Sequence, residues 1–163
     1  EMEQMIEGYL AFARGEGDEE PVLVDFAAVL EEVANNIRRT GKQVELSVDG
    51  ELPGLARPLA IKRCITNLAA NAARFGSRVE IAGKRRKRAI DIIIDDDGPG
   101  IAPDLREDVF RPFVRLEQSR NRQTGGVGLG LTIARDVARA HGGNLTLSES
   151  PLGGLRARLR LPI

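Results

Sequence analysis

The sequence predicts an α+β fold in which a mixed, mostly antiparallel sheet is layered with helices. Helical and strand periodicities are interspersed along the chain without the strict β-α-β alternation of a doubly wound parallel fold. The chain also closes on a hairpin, with Asn144–Glu149 and Leu155–Leu161 flanking the turn Ser150-Pro-Leu-Gly-Gly154. Finally, 163 residues of which 42% are apolar suffice for one core, since a single domain usually takes about 100–200 residues.

The elements follow in order. Met2, Met5, Ile6, Tyr9, Leu10 and Ala13 recur at helical spacing among Glu1, Glu3, Gln4 and Glu7, so Glu1–Arg14 reads as an amphipathic helix. Gly15-Glu-Gly-Asp-Glu-Glu-Pro21 then breaks the pattern as a linker. So short a helix cannot bury its own stripe and is expected to pack on other sequence or on another chain. Val22–Val24 reads as a short strand, and Asp25 as the N-cap of a helix from Phe26 to about Arg39. Lys42–Val48 reads as a strand, and a long helix follows Pro58 as far as Phe75. Arg78–Ala82 and Ala89–Ile94 read as strands joined by the basic run Lys84-Arg-Arg-Lys-Arg88, taken as a solvated hairpin turn. A short helix opens near Pro103, and a polar loop covers Arg115–Gly126. Leu129–His141 reads as an amphipathic helix stopped by Gly142-Gly143.

Composition narrows the function classes. With 24 Lys+Arg against 24 Asp+Glu, the chain lacks the basic excess of a nucleic-acid module. A single Cys64 excludes an internal disulfide and the Cys-rich zinc sites, and a single His141 excludes mechanisms needing two imidazoles of this chain. No apolar run approaches the length of a membrane helix. The chain opens on Glu1 without an initiator Met, which reads as a piece of a longer protein.

Four segments are candidates for the chemistry, although singly they also read as a solvated helix face, an acidic turn, a glycine-rich helix start and an aromatic loop anchor. At about 100° per residue, Asn67, Asn71 and Arg74 fall within roughly a 60° arc of the Pro58–Phe75 helix. Ile61, Ile65, Leu68, Ala69 and Ala72 occupy the other side. Two Asn inside a helix cost about 0.5–0.7 kcal/mol each relative to Ala. Their amide oxygens suit Mg²⁺, and the guanidinium suits phosphate. Asp95-Asp-Asp-Gly-Pro-Gly100 delivers carboxylates at the end of an apolar strand, and Gly98 and Gly100 let the backbone approach a planar ligand. A buried carboxylate there can accept a hydrogen bond from an exocyclic amine. Gly125–Leu131 opens a helix with backbone N–H groups bared toward an anion. The spacing fits neither a Rossmann fingerprint nor a Walker A loop. Phe110-Arg-Pro-Phe113 precedes the polar loop as its anchor, with Arg115 able to reach a phosphate.

Taken together and in this order, the segments resemble the boxes of bacterial sensor histidine kinases. Asn67-Leu-Ala-Ala-Asn71-Ala-Ala-Arg74 is similar to the N box, Asp96-Asp-Gly-Pro-Gly100 to the G1 box, Phe110-Arg-Pro-Phe113 to the F box, and Gly126-Val-Gly-Leu-Gly-Leu131 to the G2 box. The pattern looks most like the EnvZ-type osmosensor kinases. The resemblance implies a Bergerat-type α/β sandwich over 21–163, shared with gyrase, Hsp90 and MutL ATPases. It makes 1–20 the end of a dimerisation and phosphotransfer helix with its linker. It also implies ATP and Mg²⁺ as cofactors, with Asn71 on the metal and Asn67 supporting metal and phosphates. Arg74 would contact phosphate, and Phe75 would lie against adenine. Asp96 would accept the adenine amine, with Gly98, Gly100 and Ile101 shaping the base site. Gly126, Val127, Gly128, Leu129, Gly130 and Leu131 would form the phosphate loop, and Arg115 would assist transfer.

Three departures stand out. Val127 replaces a frequent Thr or Ser, Phe75 replaces a frequent Tyr, and the phosphoaccepting His box is absent. His141 precedes Gly142-Gly143, where the family often has a His that is not the acceptor. The expectation is a catalytic domain that binds Mg·ATP and phosphorylates a His on a phosphotransfer domain, with a response regulator downstream. It would lie on the cytoplasmic side, meet the membrane only through the full-length protein, bind no nucleic acid, and be a monomer or weak dimer as this fragment. A nucleotide-binding module without kinase activity is the first alternative. A gyrase- or Hsp90-like hydrolase is the second, although Lys62–Phe75 carries no Glu to activate water.

Overall fold

The computed structural model describes residues 19–111 and 130–163. The helix expected over 1–14 and the linker up to residue 18 lie outside them.

Strand β1 (Val22–Asp25) leads into helix α1 (Phe26–Arg38), and the Asp25 carboxylate caps it by accepting from the N–H of Ala27 at 3.1 Å and Ala28 at 3.4 Å. Strands β2 (Gln43–Asp49) and β3 (Pro53–Ala56) follow, then helix α2 (Pro58–Phe75). Strand β4 (Arg78–Arg85) turns through the basic run into β5 (Ala89–Asp96), as the hairpin reading expected. Two 3₁₀ turns, Pro103–Leu105 and Asp108–Phe110, stand where one short helix was expected. Helix α3 (Gly130–Ala140) and the closing strands β6 (Asn144–Glu149) and β7 (Leu155–Pro162) complete the chain.

Five strands form one sheet in the order β2-β4-β5-β7-β6, with β2 and β4 parallel and every other neighbour antiparallel. The mixed, mostly antiparallel α+β architecture is the expected one. β1 and β3 pair apart from it as a two-stranded antiparallel ribbon, Leu23 opposite Leu55. β3 was not foreseen, because Pro53 and Gly54 are depleted in strands. It forms through pairing with distant β1 and through the Phe26 N–H, which donates to Leu52 O at 3.0 Å.

Strand periodicity gives the sheet two unlike faces. Val79 and Ile81 of β4, Ile90, Ile92 and Ile94 of β5, and Leu159 and Leu161 of β7 point under the helices and are buried with Leu30, Leu52, Ile61, Ile65 and Leu68. The opposite face is polar. There the fully buried Asp91 accepts a two-pronged pair from Arg160, at 2.7 and 2.8 Å, and a third bond from Arg86 at 3.1 Å. Asp95 accepts the Arg156 fork at 2.9 Å on both oxygens.

Helices α2 and α3 run antiparallel. The Cys64 thiol meets Ala134 O at 3.4 Å, and the Arg57 N–H at the start of α2 donates to His141 Nε2 at 3.1 Å. That register sets Gly130, about one turn before Ala134, level with Leu68, about one turn after Cys64. The N-terminus of α2 is further closed by the Glu19 carboxylate, which accepts from the N–H of Leu59 and Ala60. Among the described residues no helix is long and apolar enough to cross a membrane.

Candidate nucleotide site

The three consecutive aspartates at the end of β5 take three different directions. Asp95 continues the polar phase of Asp91 and pairs with Arg156. Asp96 continues the phase of Ile90, Ile92 and Ile94, so its carboxylate points beneath the helices and is 3% exposed. Asp97 leaves the strand and bonds to the turn after α2. Sequence reasoning had grouped Asp95 with the turn. The missed signal was Asp91, whose phase Asp95 shares and Asp96 does not.

Asp96 is held so that its two oxygens differ. Oδ1 accepts from the N–H of Gly98 at 2.9 Å and of Leu155 at 3.2 Å. Among the described residues no donor reaches Oδ2. Gly154 donates its N–H to the Asp96 carbonyl at 3.1 Å, so the β6–β7 turn grips the backbone as well. A side chain on Gly154 would collide with the Asp96 carboxylate, its carbonyl and Gly98 N. Leu155 and Gly154, which hold Asp96 in place, are not singled out by the sequence, because nothing local ties them to a residue so far back. Burial pushes the Asp96 carboxyl above the ordinary value of 3.8. The Gly98 and Leu155 N–H groups oppose that shift, and the neighbouring Asp97 and Asp95 charges add to it.

Helix α2 ends against this carboxylate. A Cβ on Gly98 would stand 2.7 Å from the Phe75 carbonyl oxygen, so only glycine lets the two chain segments approach. Phe75, Asp96 and Gly98 are therefore in one place. Gly100, at φ +73°, lies against the Gly154 backbone, and the Ile101 carbonyl accepts from Arg106 Nε at 3.0 Å.

Along α2, Asn71 sits about 6 Å and Asn67 about 12 Å before Phe75 at 1.5 Å per residue. Asn67, Asn71 and Arg74 are half-buried, while Ile61, Ile65, Leu68, Ala69 and Ala72 are buried, which is the face division expected. Among the described residues the buried Asn67 Nδ2 has no hydrogen-bond partner. An orphaned amide donor on this face fits an acceptor-rich ligand such as phosphate. Among the described residues no cluster of three or more His, Cys, Asp or Glu could hold a metal ion. A hard cation here would rely on amide oxygens and on the ligand's own phosphates, which suits Mg²⁺.

α3 begins at Gly130, with Leu131 half-buried beside the core. Its first turn is fastened to Phe110, whose carbonyl accepts from Thr132 Oγ1 at 2.6 Å and whose ring lies 4.1 Å from the Arg135 guanidinium carbon. Arg135 also pairs with Glu107 at 2.6 Å. Phe110 is thus fixed against α3 with its side chain in the core. Phe113, Arg115, Gly126, Val127, Gly128 and Leu129 lie outside the described residues.

His141 is committed elsewhere. Its Nε2 accepts from Arg57 N–H, so Nδ1 carries the proton and donates to Val137 O at 2.8 Å.

Residues 56–163 match the family model described as histidine kinase-, DNA gyrase B- and HSP90-like ATPase. Over 140 residues, 85% of this chain, the sequence is 36% identical to the sensor histidine kinase CpxA of Escherichia coli K12, of which the match covers 31%. The chain spans about a third of the length of the curated relatives it matches. Among solved structures, the ATP binding domain of PrrB from Mycobacterium tuberculosis has a TM-score of 0.74 at 29% identity, over 88% of this chain and 98% of that one. The histidine kinase domain of the E. coli osmosensor EnvZ has a TM-score of 0.68 at 35% identity, over 88% and 89%.

Proposed function

Since the chain belongs to the histidine kinase-, DNA gyrase B- and HSP90-like ATPase family, and sensor histidine kinases are among its relatives, we propose that it binds Mg·ATP beneath α2 and donates the γ-phosphate to a histidine on a phosphotransfer domain. The observation that carries the reading is the inward Asp96, one oxygen held by backbone donors and the other met by no donor among the described residues, beside a helix whose polar face bears the buried Asn67 amide, likewise without a partner among them.

In this reading Asp96 Oδ2 accepts the adenine amine, and Phe75, Gly98, Gly100 and Ile101 border the base. Asn71 offers its amide oxygen to the metal with Asn67 in support, and Asn67 Nδ2 donates to a phosphate oxygen. Arg74 contacts phosphate, Gly126 to Leu131 supply backbone N–H groups, and Arg115 balances charge during transfer. Mg²⁺ when bound neutralises phosphate oxygens. The acceptor imidazole nitrogen forms an N–P bond while the bond from the γ-phosphorus to its bridging oxygen breaks, and ADP leaves with that electron pair. Positioning and charge stabilisation supply most of the rate.

The acceptor is a histidine other than His141, whose two ring nitrogens are both engaged. The partners are the phosphotransfer and dimerisation domain of the same kinase and a downstream response regulator, on the cytoplasmic side of an inner-membrane sensor.

The test adds γ-labelled ATP to the chain with and without a separately purified phosphotransfer domain. Label is expected on that domain and not on the chain. Label on the chain itself overturns the assignment of the acceptor. Binding without labelling in trans leaves a nucleotide-binding module, and steady hydrolysis by the chain alone favours a gyrase-like ATPase.

A further inference from the structure

The joint between α2 and the end of β5 is tied by a side chain that the nucleotide reading leaves unused. Asp97 Oδ1 accepts from the N–H of Ser77 at 2.8 Å and of Arg78 at 3.0 Å, and Oδ2 accepts from the Ser77 hydroxyl at 3.0 Å. The donors lie where the chain leaves α2 and enters β4, two on Ser77 of the short connection and one on Arg78, the first residue of β4. The carboxylate is exposed, yet it converges on one point. The first residue of the same connection is gripped from the other side, because Lys42 Nζ donates to Gly76 O at 3.1 Å. A Cβ on Gly76 would stand 2.9 Å from Asp97 Oδ1 and 3.0 Å from Asp96 Cβ, so the two chain exits are in contact there.

The placement has a chemical consequence. The residues assigned to phosphate and metal, Asn67, Asn71 and Arg74, all ride on α2. The carboxylate assigned to the base is on β5. Their spacing is set where α2 and β5 meet, and Asp97 is the side chain bonding across that meeting point. We propose that Asp97 is a positioning residue that holds the phosphate-facing helix at the distance from Asp96 that a nucleotide requires. The proposal rests on the Mg·ATP reading and deepens it. Asp97 touches no ligand. It lets one rigid molecule engage both ends of the site at once, and rigid spacing of this kind is a large source of affinity and rate.

The test compares a ligand that spans the joint with one that does not. Binding of Mg·ATP and of adenosine is measured on the whole chain for the wild type, Asp97→Ala, Asp97→Asn and Ser77→Ala, together with the melting temperature of each. Asp97→Ala is expected to weaken Mg·ATP by about tenfold or more while adenosine changes by less than about threefold. Asp97→Asn, whose amide oxygen still accepts from both N–H groups, should restore Mg·ATP affinity to within about threefold of wild type. Ser77→Ala, which loses only the hydroxyl bond, should lower Mg·ATP binding alone by about two- to threefold, and it carries the test if Asp97→Ala does not fold.

An unchanged ratio of the two affinities overturns the proposal. So does an equal loss of both ligands with a fallen melting temperature, which marks a general structural role. Failure of Asn to restore binding also overturns it, in favour of a charge effect. If wild type binds no Mg·ATP, the nucleotide reading itself falls, an outcome separate from a wild type that binds and an Asp97→Ala variant that matches it.

Discussion

Leu155 donates its backbone N–H to Oδ1 of Asp96 across 3.2 Å, so the closing hairpin selects which oxygen of the carboxylate faces the candidate site. The same turn contributes Gly154, whose Cα faces that carboxylate with no room for a side chain. A β-turn remote in sequence from the acidic motif thereby helps fix the Asp96 carboxylate of the candidate site.

Gly154→Ala tests that relationship. The added methyl must displace Asp96 or the turn, and both move the oxygen offered to a ligand. Mg·ATP affinity should fall by about tenfold or more, since losing a hydrogen bond to a charged acceptor costs about 1.5–3 kcal/mol. Calorimetry measures the loss, and an unchanged far-UV CD spectrum separates it from unfolding.

Asp96→Asn should separate stability from binding. Burial raises the Asp96 carboxyl above its ordinary value, so the folded state holds that proton more tightly and its ionisation at neutral pH opposes folding. Removing the charge should raise the melting temperature of the ligand-free protein at pH 7 while abolishing the melting shift produced by Mg·ATP. At about 100-fold excess over Kd that shift corresponds to roughly 2.7 kcal/mol in the wild type.

The pH dependence of stability should carry the opposite sign at Asp91. The Arg160 hydrogen bonds, then Arg86, hold this carboxyl below 3.8. Its contribution is therefore fully present above the unfolded value and is lost as pH falls through the lower folded value. Acid titration of wild type against Asp91→Asn should show the wild-type advantage at neutral pH vanish as pH falls below the ordinary carboxyl range. Nucleotide affinity should weaken earlier in the descent, as Asp96 takes up its proton.

Cys64 should resist thiol reagents in the folded protein. It is buried between α2 and α3, and burial pushes its thiol up to about 12, leaving negligible thiolate at pH 8. Ellman's reagent should react only at the rate of unfolding, and denaturant should release one equivalent.

His141→Ala should leave phosphotransfer in trans unchanged and weaken the fold. It strips the acceptor from the Arg57 N–H at the start of α2, and an unsatisfied group of this kind costs about 1–3 kcal/mol. Urea unfolding reads the loss, and a labelling assay reads the retained activity.

Much of the molecule was legible before folding, and the reason is periodicity. Ile61, Ile65, Leu68, Ala69 and Ala72 lie on the buried side of α2 and Asn67, Asn71 and Arg74 away from it, because helical spacing alone separates the two sets. The hairpin at Lys84–Arg88, the closing β6–β7 hairpin and the mixed sheet were also readable, since charge, Gly and Pro punctuate them. β3 was not readable, because Pro53-Gly-Leu-Ala56 has no strand preference of its own and is extended only by pairing with β1. The division of labour among Asp95, Asp96 and Asp97 was equally hidden in a run of identical side chains.

The sequence by itself therefore determined the order of the main helices and of every strand but β3, the polar face of α2 and the family, all of which rest on short-range spacing. Only the tertiary structure decided which aspartate points inward, which oxygen it offers, and what ties α2 to β5. Those depend on donors at Leu155, Ser77 and Arg78, brought to the aspartates by sheet register and by packing against the helices. No local pattern records such partners, because hydrogen bonds between distant segments exist only once the sheet has closed.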